Sequence, residues 1–289
     1  MGHCAGRWSG SGPTGMPKVA IVAALEREVS RLTKSSSRVE REYEGRGFVF
    51  FESNEGRDEM VVVCGGIGME AARRAAEAVI ALYRPALLQS VGFAGALDAS
   101  LHVGNVFAPA AVIDARDGSR AEIEGVDRQG TLVTFMAVAG IDQKANLARA
   151  YGARAVDMEA SAVAAAARAH GIRFSTTKVI SDEYDFEMPG AARFIDPQGR
   201  FRTASFALFA ALRPWLWRRV AQLASNSRKA ARVLGQHLEH FRQELNQPPD
   251  QASDQALGHE SLKTLAPPAA ARPEAPAAAT SGVRAGGHE

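Results

Sequence analysis

Cysteine is almost absent from this chain of 289 residues, which holds two: Cys4 in a Gly- and Ser-rich leader and Cys64 in an apolar run. So placed, they offer neither a disulfide framework nor a metal-ligand spacing, which implies a reducing compartment and no metal. Net charge is almost absent too, at +2, so the chain lacks the global basic field that nucleic-acid binding needs. No stretch reaches the roughly 18 to 20 uninterrupted apolar residues of a membrane span. The leader MGHCAGRWSGSGPTG has no apolar centre of the kind a secretion signal requires. The cytoplasm is the expected location. Three catalytic signatures are also missing: no Lys-Ser/Thr pair follows a glycine turn, the dinucleotide fingerprint is incomplete, and there is no G-x-S-x-G elbow. His170, His237 and His240 sit in helical stretches without a Cys or carboxylate cluster. No cofactor is expected.

What is present is enough for a full core, since 46% of residues are apolar. The leader, residues 1–15, is expected to be disordered, with the pattern and a candidate start of translation at Met16. Residues 246–289 are rich in Pro, Ala, Gly and polar side chains, a composition that cannot offset its ordering entropy, and are expected to form a disordered tail. Between these limits short β-rich runs at 18–24, 47–52, 60–64, 86–91, 105–113, 131–138 and 174–180 alternate with helical periodicity at 69–83, 142–151, 158–170 and 203–241. Alternation of this kind predicts an α/β fold: one three-layer α/β/α domain over 16–202 with a central twisted mixed sheet. Basic amphipathic helices are expected over 203–245, divided at Pro214.

Several strand ends carry candidate chemistry. The first strand runs into AALEREV, placing Glu26, Arg27 and Glu28 in a turn or helix start. There a carboxylate can serve as a base, or simply favour the helix dipole. The run VVVCGGIGME leads into Gly65, Gly66 and Gly68 before a helix, where backbone N–H groups can approach an anion or a ribose, or merely turn the chain. A second expected glycine turn, with Gly92 and Gly95, follows the strand 86–91. After a short strand at 154–156, AVDMEASA places Asp157, Met158 and Glu159 at a helix start. A carboxylate there can grip a vicinal diol with both oxygens, or act as an ordinary helix-start acid. The buried run 174–180 ends at Ser181 and Asp182, at a strand end where open α/β sheets bind ligands, although this pair also suits a cap or turn.

Taken in order, AALEREV, CGGIG, VGFAGALDASLHVG, AVDMEASAVA and VISD resemble the nucleoside phosphorylase superfamily, on the branch of the methylthioadenosine/adenosylhomocysteine nucleosidases. The resemblance spans about residues 17–190. It implies cleavage of the bond between a purine and ribose, with Asp182 as the acid at purine N7. It makes Glu28 the residue that activates the attacking water, and gives Glu159 the ribose hydroxyls beside Met158. Gly65, Gly66, Gly68, Gly92 and Ser181 would line the substrate, and a homo-oligomer is implied. The chemistry is sound, because a purine leaves poorly as an anion and protonation eases its departure from an oxocarbenium-like ribose. Gly65, Asp157, Lys178-Val179 and Asn105 depart from the nucleosidase pattern. The short polar stretch 114–130 and the continuation after Phe194 resemble the hopanoid-associated phosphorylases, which release adenine from the lipid-linked nucleoside adenosylhopane.

Phosphate is a possible co-substrate if the reaction is phosphorolytic, with Arg27 and the 65–68 turn as its ligands. Glu28 beside that position favours water instead. From Thr203 to Leu238 the chain has no acid, while Arg213, Arg218, Arg219, Arg228, Lys229 and Arg232 are interleaved with Phe206, Phe209, Trp215, Trp217 and Leu223. Such a segment suits either peripheral contact with the inner membrane face over 203–242 or a helix packed on the sheet. The rival from another class is a nucleoside-binding or membrane-docking module without turnover.

Overall fold

Val-, Ile- and Leu-rich runs form the centre of the protein because both of their faces are covered. The structure, a computed structural model, describes residues 19–53, 60–125, 128–188, 190–196 and 198–246. The expected leader, and the expected tail beyond its first residue, lie outside the described residues. The strands are β1 (Val19–Ala23), β2 (Ser36–Tyr43), β3 (Arg46–Ser53), β4 (Met60–Cys64), β5 (Leu87–Ala96), β6 (Val106–Phe107), β7 (Ala111–Asp114), β8 (Arg120–Glu122), β9 (Thr131–Thr134), β10 (Ala153–Asp157) and β11 (Arg173–Asp182). The helices are α1 (Glu26–Val29), α2 (Met69–Tyr83), α3 (Ile141–Tyr151), α4 (Ala160–Ala169), α5 (Thr203–Ala211) and α6 (Trp217–Asn246).

The strands form one mixed sheet in the order β2-β3-β4-β1-β5-β10-β9-β7-β8, with β11 on the far edge of β5 and β6 beyond it. β1 is parallel to β4 and β5, β5 is parallel to β11, and β10 runs antiparallel to β5. One face is covered by α2 and α4 through Ala72, Ala75, Ala76, Val79, Val163 and Ala167. The other is covered by α1 and α6 through Val29, Ala230, Leu234 and Leu238. This is the expected α/β fold with helices on both faces. Fully exposed of water at neither face, the central strands leave only their ends for chemistry.

Several expected boundaries move. β5 continues to Ala96 through Gly92 and Gly95, where a glycine turn was expected, because β11 pairs with it across both glycines. The expected strand 105–113 is two strands, β6 and β7, and 131–138 ends at Thr134. β2 was not expected at all: its residues are polar and alternate in burial, as suits the outer strand of a hairpin. Its turn, Glu44-Gly45, has positive φ at both positions, the two-residue geometry that matches strand twist. The helix expected from Met158 begins at Ala160, with Glu159 as its cap. Pro214 does divide the last helical segment, opening a 3₁₀ turn, Pro214–Leu216, between α5 and α6. Among the described residues no helix is long and apolar enough to cross a membrane.

Candidate active site

Three carboxylates, Glu28, Glu159 and Asp182, line one cavity of about 560 Å³. Each reaches it from a different part of the sheet. Glu28 follows β1 on the single turn of α1, and its Oε2 accepts the N–H groups of Ala24 and Leu25, both at 3.2 Å. It is 4% exposed. Burial pushes its pKa above the ordinary carboxylate value, opposed by those two N–H groups and by the charges of Lys178 and Arg27. A carboxylate whose pKa is raised in this way is a stronger base than a free one, which suits proton abstraction from water.

Asp182 is the last residue of β11, and the pairing with β5 shifts register between Ile180 and Asp182. A bulge of this kind re-aims a side chain at a strand end. Its Oδ1 lies 2.7 Å from the Ser181 hydroxyl and its Oδ2 2.5 Å from the Nζ of Lys144. Lys144 is 2% exposed and also donates to the carbonyls of Glu183, at 2.6 Å, and Phe186, at 3.1 Å. The ammonium therefore ties Asp182 to the chain that follows it. Lys144 is absent from the sequence-based set of candidates. Its signal was a charge on the stripe Lys144, Leu147, Ala148 and Tyr151 of α3, at the spacing of a buried helix face.

Glu159 caps α4, and its Oε1 accepts the Gly68 N–H at 2.8 Å while Oε2 faces the Met158 N–H at 3.3 Å. Its pKa is pushed up to about 7, first by burial and then by Asp157 and Glu28, against the pull of Lys178 and the Gly68 N–H. Met158 and Ser181 line the same cavity. Asp157, which also lines the cavity, makes a buried pair with Lys178 at 2.9 Å. It also accepts the Thr134 hydroxyl at 2.7 Å and the Ala160 N–H at 2.9 Å. Lys178 reaches the Ser90 hydroxyl as well, at 3.1 Å. Burial pulls the Lys178 ammonium down, but Asp157, Glu159 and Glu28 outweigh it and its pKa is raised. The lysine on β11 thus pairs directly with Asp157 and offsets part of the negative charge of Glu159 and Glu28.

The rest of the cavity wall comes from later in the chain. Phe186, Met188, Phe201, Phe206, Val220 and Leu223 supply an apolar side opposite the sheet ends. Among the described residues no group of His, Cys, Asp and Glu could hold a metal ion.

A model of the phosphorylase superfamily matches residues 18–139 and 128–213. The chain belongs to the phosphorylase superfamily. A 5′-methylthioadenosine/S-adenosylhomocysteine nucleosidase of Halalkalibacterium halodurans is 34% identical over 95 residues, 32% of this chain and 39% of that nucleosidase. The match therefore spans well under half of that relative's length. Among solved structures, the nucleosidase of the same name from Helicobacter pylori superposes with a TM-score of 0.60 at 16% identity, covering 80% of this chain and 100% of its own. The futalosine hydrolase of Helicobacter pylori gives 0.56 at 16% identity, covering 78% and 98%. Both likenesses concern the fold.

In this phosphorylase-superfamily chain the glycines shape the site more than they line it. A methyl group on Gly92, where φ is +145°, would lie 3.1 Å from Glu28 Oε2, and one on Gly95 would lie 2.8 Å from Asp182 Oδ2. Gly65 and Gly66 donate their N–H groups to the carbonyls of Ala23 and Ala24, and Gly68 donates to Glu159. Those N–H groups are occupied within the protein, which leaves the expected anion cradle at 65–68 without its donors. Gly65 and Gly66 line a neighbouring cavity of about 740 Å³ with Arg38, Arg46, Arg74 and Arg200, and Arg27 lines both cavities. Cys64 also faces the neighbouring cavity. Burial and the charges of Glu28 and Glu26 push its thiol up to about 12, so it is not a nucleophile at neutral pH.

Proposed function

We propose that this protein hydrolyses the N-glycosidic bond of a purine nucleoside of the adenosine type. The observation that carries this reading is the convergence of Glu28, Glu159 and Asp182 on one cavity. Asp182 donates a proton to the purine, Glu28 takes one from the attacking water, and Glu159 accepts hydrogen bonds from the two ribose hydroxyls. Departure of the purine leaves positive charge on the ribose, which the surrounding carboxylates stabilise. General acid catalysis of this kind contributes roughly 10²–10⁴-fold. The relatives named as nucleosidases and as a hydrolase support the same reaction class.

The 5′ substituent is bulky and apolar, as in a lipid-linked nucleoside such as adenosylhopane. The wall of Phe186, Met188, Phe201, Phe206, Val220 and Leu223 favours it, since an apolar substituent there is removed from water. Phosphorolysis is the second reading, favoured by Arg27 at the junction with the arginine-lined cavity. Water is preferred because Glu28 repels a phosphate in the cavity and the Gly65 and Gly66 donors are engaged elsewhere.

Adenine release from adenosine, methylthioadenosine and a 5′-alkyl adenosine, each with and without phosphate, tests the reading. Release without phosphate, fastest for the alkyl compound, is expected, and Asp182→Asn should bind substrate but turn it over about 10²-fold more slowly or worse. A phosphate requirement would establish the phosphorolytic reading, and full activity in Asp182→Asn would remove the acid from that residue. Binding with no product under either condition would identify a module without turnover.

A further inference from the structure

The region where α5 meets α6 carries large apolar side chains on its outside. Leu208, Leu212, Trp215 and Trp217 are 65%, 70%, 73% and 56% exposed. Leu208 and Leu212 are one helical turn apart, and the Trp217 indole N–H donates to the Ala210 carbonyl at 3.1 Å, which lays that ring against α5. Four large side chains displayed on a single short segment form the kind of patch that marks a contact surface.

Beside Trp215 lies a cavity of about 460 Å³ lined by Arg193, Phe209, Arg213, Trp215, Leu216 and Arg219. The guanidinium of Arg213 stacks 4.0 Å from the Phe209 ring centre and that of Arg193 lies 4.8 Å from it. All three arginines are held by backbone carbonyls: Arg213 by Phe209, Arg193 by Gly190 and Arg219 by Glu187. Among the described residues none of the three has a carboxylate partner, and the sequence from 201 to 238 contains no Asp or Glu. Three guanidinium groups held in place without counter-charge, on a segment that also exposes Trp and Leu side chains, match the chemistry of a phosphate headgroup above acyl chains.

We propose that this surface docks on a bilayer containing anionic phospholipid, with a headgroup phosphate among Arg193, Arg213 and Arg219 and with Leu208, Leu212, Trp215 and Trp217 at the acyl boundary. A second copy of the chain is the poorer occupant. A two-fold contact through the patch would set three uncompensated guanidinium groups against three more. Docking would also bring the bilayer next to the start of α6, whose Val220 and Leu223, one and two turns beyond Trp217, line the cavity of the three carboxylates. The surface stands on its own composition and does not depend on which bond is cleaved.

Flotation of the full chain with vesicles tests the proposal. The chain should float with phosphatidylcholine mixed with phosphatidylglycerol and stay behind with phosphatidylcholine alone. Leu212→Ser/Trp215→Ala and, separately, Arg193→Glu/Arg213→Glu should each lower the bound fraction by roughly tenfold or more, since each removes burial or charge that drives binding. Thermal unfolding close to that of the parent chain establishes that the variants are folded. Equal flotation with the neutral vesicles, or undiminished flotation of both folded variants, overturns the proposal. So does a sedimentation mass of two copies that both variants reduce to one, because the patch is then an interface between copies. Failure of adenine release leaves all of these outcomes unchanged.

Discussion

Gly95 and Asp182 stand opposite each other on paired strands, and a single carbon added to the glycine would lie 2.8 Å from the acid's Oδ2. Gly95→Ala should therefore push the carboxylate off its position while leaving the sheet paired. A displacement of about 1 Å in a catalytic group can cost about 10²-fold in rate. The expected outcome is a large fall in kcat for adenine release with little change in the unfolding temperature. Unchanged turnover would show that Asp182 has room to relax.

Lys144→Met keeps the length of the side chain and removes its charge. Asp182, Glu183 and Phe186 then lose a shared donor, and the segment after β11 is freed from α3. We expect kcat to fall about 10²-fold, with a smaller change in KM, because what is lost is the position of the acid rather than a contact with substrate. Equal falls in affinity and turnover would assign Lys144 to substrate binding instead.

Glu159 carries the pH dependence. Its folded-state pKa, at about 7, lies above the ordinary value of 4.5, so the folded protein holds a proton that the unfolded chain has released. The stability contribution of this group is fully present below the ordinary value and is lost as pH rises through about 7. Glu159→Gln should flatten the fall in unfolding temperature across that interval. Substrate affinity should run the other way and strengthen as pH passes 7, because the ionised carboxylate accepts from both ribose hydroxyls. A parent chain and variant with parallel pH profiles of unfolding would contradict the assignment.

Removing one partner of the Asp157–Lys178 pair should be costly, since both side chains are buried. Lys178→Met leaves a buried carboxylate without its cation and is expected to cost about 3–5 kcal/mol in denaturant unfolding. A loss below about 1 kcal/mol would mean that Thr134 and the Ala160 N–H hold Asp157 unaided.

Leu234→Ala tests whether the second half of α6 belongs to the core. Leu234 is fully buried against the sheet with Ala230 and Leu238. The expected cost is about 2–5 kcal/mol, again from denaturant unfolding.

The sequence made the three acids of the cavity legible because Glu28, Glu159 and Asp182 each sit where a hydrophobic run stops, and a polar residue at such a point is conspicuous. Four things were not legible, for different physical reasons. Gly92 and Gly95 looked like a turn, because nothing local distinguishes a glycine that reverses the chain from one that stays extended to make room for an acid on other elements. Lys144 lay too far along the chain from Asp182, and only tertiary packing brings α3 to the end of β11. Asp157 gave no local sign of its partner, Lys178, which comes from the opposite side of β5. β2 was hidden for the simplest reason: with a side open to water, it had no apolar run to display. The α6 helix meets the expectation of a helix packed on the sheet in its second half, through Ala230, Leu234 and Leu238, while its first residue, Trp217, is exposed.

The cavity is assembled from two stretches of chain that do not overlap. Its acids have all arrived by Asp182, whereas Phe186, Met188, Phe201, Phe206, Val220 and Leu223, which join the earlier Phe93, Val138 and Met158 in its apolar wall, come from the turns and helices that follow. Under the proposed function, chemistry and much of the selectivity are written in separate chapters of the polypeptide. A chimera that exchanged only the later chapter would keep its reactive groups and inherit a different taste in substrates.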